Sequence, residues 1–194
     1  MKTRMLALLS LGVLLLSTSS CIFLPSTPSA VHDFGYPYTN VPSETTSSPQ
    51  QQSPITVDAP KWLSDNRIRY RLLYSTPTQV RFYSLDRWIA APSELFEQLL
   101  KNNGKQQTGP VTIQLQVFEQ QFETLNKAKV VMHFTVTSTP DDKHPQPRTR
   151  NFNLQLPCPT PDAKGAVSGF TVLTKQAVEK IQTWVSTQNF ESPL

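Results

Sequence analysis

Three segments in the second half of the chain alternate apolar and polar residues with a period of two. Val111, Ile113, Leu115 and Val117 are separated by Thr112, Gln114 and Gln116. Val130, Met132, Phe134 and Val136 are separated by Val131, His133 and Thr135, and Phe152, Leu154 and Leu156 interleave with Asn151, Asn153 and Gln155. That period sorts side chains onto the two faces of a strand. Three such strands in succession, joined by polar connections at Glu123–Lys127 and Pro140–Pro147, predict an antiparallel meander with one covered face.

The predicted cover is helical. Phe170, Leu173, Ala177, Ile181 and Trp184 recur at spacings of three and four, one stripe on a helix from about Ser168 to Thr187. A second helix opens at Pro92-Ser93-Glu94, where proline suits a first turn, buries Leu95, Phe96, Leu99 and Leu100, and stops at Asn103-Gly104. Upstream, Ile55–Pro60 reads as a short strand. Arg67–Tyr74 places Ile68, Tyr70, Leu72 and Tyr74 on one face and Arg67, Arg69 and Arg71 on the other. Val80–Ser84 follows a turn at Ser75-Thr76-Pro77. Strands in runs, with helices on one side, predict the α+β class: a mainly antiparallel sheet with two helices packed on one face, in a single domain over residues 55–190.

The other end of the chain is built differently. Lys2 and Arg4 precede an apolar run, Met5 to Leu16, followed by Ser17-Thr18-Ser19-Ser20-Cys21. A basic start, a short apolar run and small residues form an export signal. The run is too short for a bilayer span, which needs about 20 apolar residues. Cysteine directly after the small residues predicts a bacterial lipoprotein signal over residues 1–20. Cys21 would then carry a diacylglycerol on its thiol and a fatty acyl chain such as palmitate on its amine. The position three residues before it is Thr18 where Leu is usual, so an ordinary cleaved signal with Cys21 free or paired to Cys158 is the alternative. Ile22, in place of a retaining Asp, favours the outer membrane. Residues 21–54 are rich in Pro, Ser, Thr and Gln, a composition that buries too little to offset its ordering entropy and reads as a tether. Within it, Val31–Tyr36 is richer and suits an edge strand.

Charge excludes one class of partner. The formal net charge is +4, and Lys2 and Arg4 of the signal supply part of it, too little to point to nucleic acid. Two cysteines cannot build a four-thiolate zinc site. His32, His133 and His144 lack ligand-spaced partners, and no nucleophile elbow, zinc-protease helix or phosphate loop occurs. The expectation is a protein that is not an enzyme and holds no cofactor or metal. Cys158, just past a strand, is a buried thiol or an intermolecular disulfide partner. Arg67, Arg69 and Arg71 are a solvated strand face or a contact for lipid phosphates or an acidic partner. Trp62 and Trp88, which flank them, belong to the core or to a partner surface.

Several stretches carry a family likeness. Val57-Asp58-Ala59-Pro60-Lys61-Trp62-Leu63, then Arg67-Ile68-Arg69-Tyr70-Arg71-Leu72, then Tyr83–Pro92, together with His32-Asp33-Phe34-Gly35 and Pro159–Val167, resemble the ABC-type transport auxiliary lipoproteins of the PqiC type. The resemblance implies a lipoprotein that works with an inner-membrane ABC permease and ATPase and a periplasm-spanning protein with mammalian-cell-entry (MCE) domains. It implies docking of that assembly near the outer membrane and a ring-like homo-oligomer. A regulator of a cell-wall synthase and an independent lipid carrier are the competing expectations.

Overall fold

The computed structural model describes residues 29–35, 55–103, 110–139 and 146–187. Cys21, the signal, most of the tether, the loop bearing Asp141, Asp142 and His144, and the last seven residues lie outside them. In chain order come β1 (Ala30–His32), β2 (Ile55–Asp58), one turn of 3-10 helix (Lys61–Leu63), β3 (Arg67–Leu72) and β4 (Thr76–Trp88). Helix α1 (Pro92–Asn103), β5 (Val111–Thr124), β6 (Lys127–Ser138), β7 (Arg148–Pro157) and helix α2 (Ala163–Thr187) complete the fold.

The α+β class holds, and the apolar stripes of both helices join one face of the sheet in a single core. Phe170, Leu173, Ala177, Ile181 and Trp184 are all buried, as are Leu95, Phe96, Leu99 and Leu100. The sheet, however, is mixed. The β3–β4, β5–β6 and β6–β7 pairs are antiparallel, whereas β1–β4, β2–β5 and β3–β5 are parallel. The cause is connectivity. β2 pairs with the start of β5 and β3 with its end, both on the edge away from β6. The chain turns back through β4 and crosses by way of α1 to enter β5 in the direction of β2 and β3. A crossover of this kind is what parallel neighbours require.

β5 departs from strict alternation. Val111, Ile113 and Leu115 face the core, but a register shift between Leu115 and Val117 pairs Val117 with His133 on the open face. Phe118 takes the next core position. One extra residue inverts the facing of everything after it. β4 is also longer than expected, because the β3–β4 turn closes at residues 73–75, with Ser75 N–H donating to the Leu72 carbonyl at 3.2 Å.

Helix α2 starts five residues before Ser168. Asp162 caps it: its Oδ1 accepts from Gly165 N–H at 2.8 Å, and its carbonyl accepts from Ala166 N–H at 3.0 Å. Gly165 is required there, since a Cβ would lie 1.8 Å from the Thr160 carbonyl oxygen.

The tether contributes to the fold. β1 pairs in parallel with Asp86–Trp88 at the edge of the sheet. His32 Nε2 lies 2.8 Å from Asp86 Oδ1. Phe34 is fully buried, edge-on to Trp88 at 5.2 Å and tilted against Phe118 at 5.6 Å. Gly35, at φ 67°, closes this segment with its N–H on Asp33 Oδ1.

Candidate functional site

The arginines of β3 lie on the open face of the sheet, but Arg69 is buried and Arg71 is only partly exposed. Arg69 is 4% exposed: its Nη2 donates to Asp65 Oδ1 at 2.9 Å and to the Trp62 carbonyl at 2.5 Å. Burial lowers its pKa, and the Asp65 carboxylate opposes that shift. Burial alone would raise the Asp65 pKa, but hydrogen bonds from Arg67 and the charges of Arg69 and Arg67 hold it below the usual carboxylate range. Arg71 Nε reaches both oxygens of the buried Glu119 at 2.8 Å, and its Nη1 donates to the Pro77 and Thr78 carbonyls. Of the three, only Arg67 stands exposed, forked onto Asp65 at 2.9 and 2.6 Å with its guanidinium 3.6 Å over the Phe82 ring.

The two tryptophans part company. Trp88 is 1% exposed, packed among Phe34, Phe118 and Phe170. Trp62 is 58% exposed on the 3-10 turn, while its neighbour Leu63 is buried.

Sequence reasoning missed the fourth arginine. Arg87 faces Arg67 directly across the β3–β4 pair. On its other side it faces Val31 of β1. Leu85 of β4 and Ile89, just past its end, lie two positions to either side of it, and both are exposed. The signal was the spacing Leu85, Arg87, Ile89, which shares one face of an extended chain; it becomes a surface only once β1 is seen beside it.

Sequence reasoning also missed two polar residues buried in β5. Glu119 holds Arg71. Gln120 is fully buried, accepting from the Tyr83 hydroxyl at 2.6 Å and donating to the Asp162 carbonyl at 3.1 Å and to Cys158 Sγ at 3.4 Å. Burial raises the pKa of Tyr83. It also raises that of Cys158, against the Gln120 hydrogen bond, leaving a half-buried, protonated thiol, free among the described residues.

Away from the arginines, the open face carries a ladder of neutral polar side chains. Gln116 donates to Thr135 Oγ1 at 3.0 Å, Thr135 donates to Asn151 at 2.7 Å, and Thr137 and Thr149 lie 3.2 Å apart. His133 sits on this face, partly exposed. On the helical side, an open groove of about 280 Å³ runs between α1 and α2, lined by Leu99, Asn103, Lys175, Val178, Glu179 and Gln182. Beneath the centre of α2, Phe118 stacks on Phe170 at 3.8 Å and Gly169 packs on Val130, where a Cβ would lie 2.8 Å away. Among the described residues no group of three His, Cys, Asp or Glu side chains could hold a metal ion.

The same architecture occurs in protein XCC0632 from Xanthomonas campestris, whose crystal structure carries the family model DUF330. The TM-score is 0.61 at 12% identity, over 87% of this chain and 94% of that one. This chain has a DUF330-like fold. A second crystal structure, of an uncharacterized protein, matches with a TM-score of 0.57 at 11% identity, over 82% of this chain and 99% of that one. No family model matches the chain and no curated protein matches it. At such identities the likeness is one of fold. Within this DUF330-like fold the open sheet face has an arginine-bearing half and a Gln/Thr/Asn half, and the first of these adjoins the docked β1 segment.

Proposed function

We propose that the protein is a non-enzymatic auxiliary lipoprotein of an MCE-type ABC phospholipid transport system, held by Cys21 at the periplasmic face of the outer membrane. The observation that carries this reading is the DUF330-like fold spanning most of both chains, since DUF330 corresponds to the PqiC-type family that the sequence motifs resemble. Of the five motif stretches, Arg67–Leu72 is strand β3 itself and the other four fall on joints of the fold. Val57–Leu63 covers the end of β2 and the 3-10 turn, Tyr83–Pro92 the passage from β4 into α1, and Pro159–Val167 the cap of α2. His32–Gly35 covers the docked end of β1. Residues at joints set geometry, so agreement there supports a shared architecture more than scattered core matches would.

In this reading the domain docks an MCE-domain protein and, through it, the permease and ATPase, as a homo-oligomeric ring. Of the anticipated contact set, Trp62 is exposed to meet that protein and Arg67 is exposed to meet lipid phosphate, whereas Arg69 and Trp88 are buried and Arg71 is held by Glu119. Cross-linking of the tagged full chain in its native membranes, followed by mass spectrometry, should recover an MCE-domain protein. Deletion should place phospholipid in the outer leaflet of the outer membrane. Failure to recover any MCE-domain protein, with lipid asymmetry intact, would refute the proposal.

A further inference from the structure

We infer that the patch formed by Val31, Leu85, Ile89, Arg67 and Arg87 is a membrane-facing surface that rests on anionic phospholipid headgroups. This rests on the anchored reading of Cys21 and adds to it a defined orientation. The first argument is the path of the chain. Only residues 22–29 separate Cys21 from Ala30, where the chain joins the sheet. Eight residues span at most about 29 Å when fully extended. A tether that reached the domain only at Ile55 would leave it free to face any direction. Docking at β1 instead keeps the anchor within that reach of the sheet edge that carries Val31, and Val31 is part of the patch.

The second argument is chemical. Val31 and Leu85 are each 49% exposed and Ile89 is 64% exposed; Val31 pairs with Arg87 in the β1–β4 register, and Leu85 and Ile89 stand two positions to either side of Arg87 in the chain. Single exposed aliphatic residues need no explanation, but a contiguous group marks a binding surface. Arg67 and Arg87 face each other across β3 and β4, an unfavourable pairing of like charges. Asp65 neutralises Arg67 in part, and Arg87 has no acidic partner among the described residues. Aliphatic side chains around a guanidinium pair match a lipid interface, where phosphate meets the forks and methyl groups sink to the glycerol level.

The test holds residues 21–194, with Cys21→Ser and an N-terminal hexahistidine tag, on vesicles containing a nickel-chelating lipid. The remaining lipid is either phosphatidylethanolamine with phosphatidylglycerol, or phosphatidylcholine alone. An NBD fluorophore is placed at Ile89→Cys or, as control, at Asn153→Cys among the neutral polar residues of the open face, both with Cys158→Ala. The Ile89 site should shift to the blue and be quenched by spin-labelled acyl chains on anionic vesicles, while the Asn153 site stays water-like. Partition of the untagged chain onto phosphatidylglycerol vesicles should fall at least about tenfold with Arg87→Glu, a change of two charges at the surface. An Ile89 site that stays water-like on anionic vesicles overturns the inference. So does one shielded in solution in proportion to protein concentration, which would make the patch a protein interface. Acylation is read separately, from the mass of the N-terminal peptide of the full chain. An unmodified Cys21 there refutes the anchor, whereas the vesicle measurement answers for the patch regardless.

Discussion

The hydroxyl of Tyr83 donates to Gln120 Oε1 at 2.6 Å, joining β4 to the fully buried centre of β5. The Gln120 amide then bonds the Asp162 carbonyl, so one side chain ties the sheet to the start of α2. Gln120→Leu leaves a buried hydroxyl without its acceptor. It should destabilise the protein by about 1–3 kcal/mol in urea unfolding. Tyr83→Phe with Gln120→Leu should cost less than the two single changes added together, which a double-mutant cycle reads directly.

The same burial makes stability sensitive to alkali. Tyr83 has a raised pKa because its surroundings disfavour the phenolate. The folded state then keeps its proton after the unfolded state has released it. Its contribution is complete below the ordinary tyrosine value of about 10 and is lost as pH rises above it. Unfolding midpoints measured from pH 8 to pH 11 should fall at the upper end, and less steeply in Tyr83→Phe.

Asp65 predicts the opposite limb. Its carboxylate, lowered in pKa, serves both Arg67 and the buried Arg69. That stabilisation is complete above the ordinary Asp value of about 4 and is lost as pH falls through the lower folded value. Asp65→Asn should cost about 2 kcal/mol at neutral pH. This is less than the 3–5 typical of a fully buried pair, since Asp65 is partly exposed. It should also flatten the acid limb of the stability profile.

The tryptophans separate stability from binding. Trp88→Ala should cost about 3–5 kcal/mol by emptying the centre of an aromatic cluster. Trp62→Ala should change stability by no more than about 0.5 kcal/mol. Lost cross-linking to an MCE-domain protein in the Trp62 variant therefore reports on the contact and not on folding.

Docking of β1 depends on Phe34 more than on its three-residue ladder. Phe34→Ala should release the segment locally. Amide exchange should rise at Ile89, whose N–H donates to the His32 carbonyl at 2.8 Å, and stay unchanged in β6.

Periodicity in the sequence was enough for the strands of the meander, the stripes of both helices and the α+β class. It was enough because each depends on spacing within one segment. The core residues of α1 and α2 follow from i, i+3 and i+4 contacts that no distant partner alters. The same logic failed at Val117, where one extra residue in β5 moves the side chain to the other face. It failed for the arginines too: alternation put Arg67, Arg69 and Arg71 together but could not distinguish the buried Arg69 from the exposed Arg67, because Asp65 and Glu119 decide that.

By itself, then, the amino-acid order determined a class of fold and which apolar side chains avoid water. Only the tertiary structure decided the strand directions, the mixed sheet, the union of β1 with β4, and the meeting of Arg67 with Arg87. The physical reason is range. Backbone propensity and amphipathic period act over a few residues, whereas strand direction and charge pairing are settled between segments far apart in the chain, such as Arg67 with Arg87 or His32 with Asp86.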